Sequence, residues 1–178
     1  MRNKILLVIL VFFFNEISFA ENIKISAKNV ILDKNKQSTI FENEVLVLTN
    51  EGDNIKSDYA EYNKNLGILT LKGNVNLIDK DNNVLTANFI EYKENEKILS
   101  TRGPTKIITS EDYILESKDL FLDKKENSIS SNYEAKIFDG DKNKIFLKNF
   151  EYNSKLNFFK SIGEIKINDI NNNTYKFS

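Results

Sequence analysis

Apolar and polar residues alternate along most of the chain, and the alternation returns in register every thirty residues. Leu32, Tyr62, Tyr92, Leu122 and Tyr152 fall at steps of 30 with no insertion. Ile25, Ile55, Leu85, Leu115 and Ile145 keep the same step, as do Val30, Ala60, Ile90, Leu120 and Phe150. Two more columns read Val45, Val75, Thr105, Ala135, Ile165 and Val47, Leu77, Ile107, Ile137, Ile167. Between them run mostly polar columns: Ile31, Glu61, Glu91, Phe121, Glu151 in one, and Leu46, Asn76, Lys106, Lys136, Lys166 in another. A period of two marks strands with one buried and one wet face. A fixed longer period marks a repeat architecture. No stretch keeps a 3.6-residue period over three turns, so no helix is expected after the N-terminal segment.

Two turn zones punctuate each unit. One is Asp33-Lys34-Asn35-Lys36, then Asn63-Lys64-Asn65-Leu66-Gly67; the other is Asn50-Glu51-Gly52-Asp53, Asp79 to Asn83, and Asp139-Gly140-Asp141-Lys142. Asn, Asp and Gly tolerate the positive φ that tight hairpins need. Between turn zones each limb is interrupted near its middle, where Gly73, Gly103 and Gly163 share a column with Asn43 and Tyr133. A glycine inside a strand marks a bulge or bend. The expected fold is all-β: bent antiparallel strands joined by hairpins, two sheets facing each other across a crease, built from 30-residue repeats. Ile25, Ile55, Leu85, Leu115, Ile145, Val45, Val75, Val47, Leu77, Ile107, Ile137 and Ile167 share a parity and are expected to face one apolar interior.

The first twenty residues read differently. Arg2 and Lys4 precede an unbroken apolar run from Ile5 to Phe14, and Ser18 and Ala20 stand at −3 and −1 of a cut before Glu21. That is the three-part pattern of a secretory signal peptide. The run is short of the roughly 20 apolar residues a spanning helix needs. The competing reading is an uncleaved anchor extended through Ile17 and Phe19. Residues 1–20 are therefore read as a signal peptide and 21–178 as one exported domain.

Composition narrows the chemistry. The chain has no Cys and no His, which removes disulfides, thiol nucleophiles, His-based triads and His or Cys metal sites. With 25 Lys+Arg against 26 Asp+Glu, it lacks the basic footprint of a nucleic-acid binder. Glu61, Glu91 and Glu151 form a column of carboxylates, but on the parity away from the apolar side, with nothing nearby to raise one pKa for acid catalysis. Asp79, Asp81, Asp139 and Asp141 lack a complete Ca²⁺ loop. Lys106, Lys136 and Lys166 read as a solvated outer face. No catalytic residue, metal site or cofactor is expected, and the chain is not read as an enzyme.

Four pieces carry a family resemblance: Ser26-Ala27-Lys28-Asn29-Val30, Ala60-Glu61-Tyr62-Asn63, Lys72-Gly73-Asn74-Val75, and Asp79-Lys80-Asp81-Asn82 running into Val84-Leu85-Thr86-Ala87. From about Ile23 to the C-terminus, and most from Ile55 to Tyr92, the chain resembles the OstA-like β-jellyroll of lipopolysaccharide transport proteins, the domain of LptA, LptC and the N-terminal part of LptD. The resemblance implies a V-shaped half-pipe in the periplasm, or associated with the outer membrane, that carries lipopolysaccharide toward the outer membrane. The twelve interior residues above would then line a lipid groove. It also implies head-to-tail joining of related domains into a bridge. Open sheet edges favour such pairing. The N-terminal edge carries Ile23, Ile25 and Val30; Tyr175 and Phe177, which fall in the columns of Ile25 and Ala27, mark the other, where a homo-oligomer could also form. An LptA-like protein and an N-terminal piece of an LptD-like one both fit, and an exported β-solenoid carbohydrate-binding module or enzyme is the reading from another class.

Overall fold

The computed structural model describes residues 23–141, 143–156 and 158–177, so residues 1–20, read above as a signal peptide, lie outside it. The described residues form seventeen strands. These are β1 (Ile23–Ser26), β2 (Asn29–Asp33), β3 (Ser38–Thr49), β4 (Asn54–Asn63), β5 (Ile68–Ile78), β6 (Val84–Lys93), β7 (Ile98–Thr101), β8 (Pro104–Ile108) and β9 (Ile114–Lys118). There follow β10 (Phe121–Asp123), β11 (Ser128–Ser131), β12 (Ala135–Phe138), β13 (Lys144–Leu147), β14 (Phe150–Asn153), β15 (Phe158–Lys160), β16 (Ile165–Asn168) and β17 (Thr174–Phe177). Every described pairing is antiparallel. That disposes of a parallel β-solenoid.

The pairings resolve into two sheets joined at a crease. The first runs β2, then the N-terminal half of β3, the C-terminal half of β4, the N-terminal half of β5, the C-terminal half of β6, and on through β7, β10, β11, β14 and β15. The second runs β1, the opposite halves of β3 to β6, then β8, β9, β12, β13, β16 and β17. Neither sheet closes on itself, so the architecture is the expected open jellyroll of bent antiparallel strands. Tyr175 and Phe177 lie in an edge strand, β17, which among the described strands pairs only with β16.

The crease is where the sequence departs from simple alternation. In β3 the bulge falls on Asn43 and Glu44, and in β5 on Gly73 and Asn74, both pairs with positive φ. Two left-handed residues let the strand turn the corner and stay paired on both sides. The later limbs do not bend but break. Gly103 is left-handed at +79°, yet the next residue is Pro104, whose ring fixes φ near −65°. The second left-handed residue is thus unavailable, and β7 ends before β8 begins. At the equivalent place in the fourth unit stands Tyr133, and again two strands, β11 and β12, replace one. The backbone groups freed there are met by small hydroxyls. Thr101 Oγ1 accepts from the Leu120 amide at 2.9 Å and from Thr105 Oγ1 at 2.8 Å, and Ser131 Oγ donates to the Lys118 carbonyl at 2.7 Å.

The far ends of the limbs are a repeated turn. At Asp79, Asp139 and Asp169 one carboxylate oxygen accepts the amide of the residue four on, and the other accepts that Asn's side chain. The residue just before that Asn is left-handed at Asn82 and Asn172, as are Gly52 and Asp112 at the same step. The expected hairpins at Asp33–Lys36, Asn63–Gly67 and Asp79–Asn83 are all present. So is the one at Asp139, although Lys142 lies outside the described residues.

Candidate functional site

Ten of the twelve expected interior residues form a single cross-strand row. In the second sheet Ile25 pairs with Val47, Val47 with Ile55, Ile55 with Leu77, Leu77 with Leu85, and Leu85 with Ile107. The row continues through Leu115, Ile137, Ile145 and Ile167 to Tyr175. Directly opposed residues in a ladder share a face, so the row runs unbroken from one edge of the sheet to the other. Val45 and Val75 lie one row nearer the crease, beside Ser57 and Ala87. All twelve residues are thus on one face.

The first sheet supplies a facing row that the list of lining residues above does not contain. It runs Leu32, Thr39, Tyr62, Leu69, Tyr92, Leu99, Leu122, Ile129, Tyr152, Phe159. The column Leu32, Tyr62, Tyr92, Leu122, Tyr152 was visible as the anchor of the repeat. Its parity alone would have placed it inside. This wall is richer in aromatic residues than the aliphatic one it faces.

The two walls do not meet equally along their length. In the N-terminal half they close on each other: Val45, Val47, Leu69, Leu71, Val75 and Ile90 are fully buried in one cluster that also holds Ile55, Leu77 and Leu85. Burying each such side chain contributes about 1.5–3 kcal/mol, so this half is a sealed core. In the C-terminal half the buried cluster shrinks to Leu120, Ala135, Leu147 and Phe150. Leu115, Ile129, Ile137, Ile145 and Ile165 pack against it but keep part of their surface open. Beyond them Phe159, Tyr175 and Phe177 are exposed, the last at 55%. The apolar interior thus opens progressively toward the C-terminal edge.

The outer faces are wet. On the second sheet Lys106 pairs with Glu116 at 3.6 Å, Lys136 lies over the Phe138 ring at 4.4 Å, and Lys166 over Phe146 at 5.7 Å. Two shallow concavities sit here; one is lined by Glu116, Lys136 and Lys166 among others, the second by Asn76, Thr86 and Lys106. On the first sheet Glu61 accepts from Ser38 Oγ at 2.8 Å and Tyr59 Oη at 3.2 Å. Burial and the neighbouring carboxylate push the Tyr59 phenol up. No cluster that could hold a metal ion occurs among the described residues.

At the mouth of the V, opposite the crease, charged side chains meet. Glu51 accepts from Lys97 Nζ at 2.5 Å and Lys124 Nζ at 3.1 Å, and Lys124 Nζ also reaches Asp53 Oδ2 at 2.7 Å. The bond from Lys97 holds the Glu51 carboxyl below its usual range, and the same bond raises Lys97. Burial works against the charge on Lys124, but its bonds to Asp53 and Glu51 outweigh that and raise it. Burial, with Glu51 close by, raises Tyr92, whose ring lies 5.6 Å beneath Lys124.

Residues 20–114 match the family model described as lipopolysaccharide-assembly, LptC-related. The chain belongs to this LptC-related family. Membership ties it to lipopolysaccharide assembly, and the matched span covers the sealed half of the V. Among solved structures, the chain is similar to LptH from Pseudomonas aeruginosa, described as the LptA-homologous periplasmic component of the conserved lipopolysaccharide transport device. That likeness is at 11% identity, over 78% of this chain and 80% of that one, with a TM-score of 0.33. No curated protein matches the sequence. In this LptC-related chain the column of Gly73 and the turn of Asp79, both quoted above for the family resemblance, are the bulge that makes the crease and the cap that closes the hairpin.

Proposed function

We propose that this domain is a non-catalytic periplasmic scaffold that carries lipopolysaccharide by its acyl chains between the two sheets, toward the outer membrane, after removal of residues 1–20. The observation that carries the reading is the unbroken apolar row from Ile25 to Tyr175, facing a second apolar row and opening toward the C-terminal edge. Each CH₂ moved from water to such a surface contributes about 0.8 kcal/mol, so a few carbons of an acyl chain suffice without a specific polar site. Among the described residues, both sheets end in strands with one side unpaired: β1 and β2 at one end, β15 and β17 at the other. Related jellyroll domains, or a second copy, would add strands to the β1 edge carrying Ile23 and Ile25 and to the β17 edge carrying Tyr175 and Phe177, continuing the interior.

A photo-crosslinking residue at Ile137 or Ile145 should trap lipopolysaccharide in cells, whereas Lys136 and Lys144, next to them in β12 and β13 and on the outer face, should not. Equal trapping from both parities would refute the assignment.

A further inference from the structure

The two sheets are held together at the mouth of the V in one place among the described ion pairs. The hairpin Thr49–Asp53 belongs to the second sheet; Lys97 and Lys124 sit in the turns that follow β6 and β10 in the first. The contacts Lys97–Glu51, Lys124–Glu51 and Lys124–Asp53 therefore cross from one rim to the other. Asp53 is only 6% exposed, and Lys124 is the described cation that reaches its carboxylate; a buried carboxylate stripped of its partner is strongly disfavoured. The other described ion pairs lie within one sheet or at the crease. Among the described residues no such pair spans the rims in the C-terminal half, where the interior is already partly open.

We propose that Glu51, Asp53, Lys97 and Lys124 form an ionic strap across the mouth, which keeps the N-terminal half shut in the empty protein and must part before an acyl chain enters behind it. The proposal rests on the reading that the interior carries acyl chains. Behind the strap there is no room for a ligand: Val47, Leu69 and Ile90 are fully buried against one another. Admitting a chain requires the rims to separate, and separation must break these contacts. A strap of ion pairs is suited to that task. Its shielded member is the Lys124–Asp53 pair, with 7% of the Asp53 side chain exposed, while Glu51 and Lys97 are part-exposed; all of these contacts give way to water once the rims move apart.

Tyr62 and Tyr152 occupy the same column of the repeat, the first behind the strap and the second in the open half, and both have partly accessible rings. Replacing each with a benzoyl-phenylalanine gives two matched reporters for purified lipopolysaccharide. The chain has no cysteine, so Glu51→Cys with Lys97→Cys, bridged by a short bismaleimide, makes a strap that cannot open. Bridging should leave capture at Tyr152 intact and reduce capture at Tyr62 severalfold, while Lys97→Met with Lys124→Met should raise capture at Tyr62. Unchanged capture at Tyr62 after bridging overturns the strap. Absence of capture at both positions overturns the lipid reading instead, and a ligand-free measurement then decides the strap. Amide hydrogen exchange at Val47 and Ile55 should accelerate severalfold in Lys97→Met/Lys124→Met while that at Ile137 and Ile145 does not, and equal rates in the variant and the parent would refute it.

Discussion

The contrast between a sealed half and an open half can be tested by two truncations of the same kind. Leu71 and Ile137 are both interior aliphatics on central strands. Leu71 is fully buried, with 0% of its surface exposed, inside the N-terminal cluster. Ile137 packs against the smaller C-terminal cluster and keeps part of its surface accessible. Leu71→Ala leaves a cavity walled by residues that cannot collapse into it, for an expected loss of about 2–5 kcal/mol. For a domain of this size each kcal/mol moves the melting temperature by about 2–4 °C, so the midpoint should fall by roughly 6–12 °C for a loss of about 3 kcal/mol. Ile137→Ala removes three carbons that are only partly shielded, costing about 1 kcal/mol at about 0.8 kcal/mol per fully buried carbon, and should move the midpoint by only about 2–4 °C. Lipid binding should respond in the opposite order. If an acyl chain covers Ile137 in the complex, truncation forfeits about 1 kcal/mol of contact, a weakening of about five-fold. Leu71, beside the crease, should leave affinity nearly unchanged at temperatures well below its midpoint. Thermal melts followed at the β-sheet circular dichroism band, with titration of lipopolysaccharide against a displaceable fluorescent lipid, measure both. Equal losses of stability, or a larger loss of affinity in Leu71→Ala than in Ile137→Ala, would refute the division of the interior.

Three further outcomes are expected. Gly73→Ala places a side chain at φ +74° and drives its Cβ into the Asp58 side chain; the left-handed backbone alone costs about 1–2 kcal/mol, so urea midpoints should fall, whereas Gly140→Ala, with only a carbonyl at 3.7 Å, should be close to neutral. Thr101→Val keeps the shape but leaves the Leu120 amide without its acceptor at a buried site, while the Thr105 hydroxyl keeps the Gly103 carbonyl, for a loss of about 1–3 kcal/mol that Thr101→Ser should largely restore. The strap gives a pH signature: the lowered pKa of Glu51 contributes stability that is present above its unfolded value of 4.5 and is lost as pH falls through the folded value, while the raised values of Lys97 and Lys124 contribute stability present below 10.5 and lost as pH rises through theirs; the acid-side decline in stability should be shallower in Glu51→Gln than in the parent.

Much of this architecture was legible because a repeat states each rule several times. A single glycine in a strand is ambiguous, but Gly73, Gly103 and Gly163 at one step fix the crease. One alternating run leaves its buried face undecided, yet the row from Ile25 to Ile167 keeps one parity through every unit. What could not be read was how far the walls approach each other. The columns are equally apolar in both halves, and nothing in Ile145 or Ile137 distinguishes an open wall from the sealed one at Val47 or Leu77. Closure depends on the angle between two twisted sheets and on contacts such as Lys124 with Asp53, seventy-one positions apart. Likewise the column containing Pro104 marks a corner, but bending and breaking differ by one residue's access to positive φ.

The exposed apolar residues at the two ends follow from the same repeat logic. A unit of this fold cannot bury its own hydrophobic face; it needs a neighbour on each side. The first and last units have one neighbour each. Val30 and Leu32 at one end, and Phe159, Tyr175 and Phe177 at the other, continue the interior rows yet remain exposed, Leu32 at 72%. Among the described residues the outermost strands have one side without a partner strand, and there is no proline in β1, β2, β15 or β17 to block a further strand. A strand from another jellyroll laid against β17 would gain main-chain hydrogen bonds and cover Tyr175 and Phe177 in one step. The same step would lengthen the open half of the groove. If that is what the C-terminal edge does, Phe177→Asp, which leaves β16 and the clusters behind it untouched, should abolish association with a partner domain while preserving the β spectrum and capture of lipid at Tyr152. Loss of lipid capture together with association would mean that the edge is part of the lipid site itself.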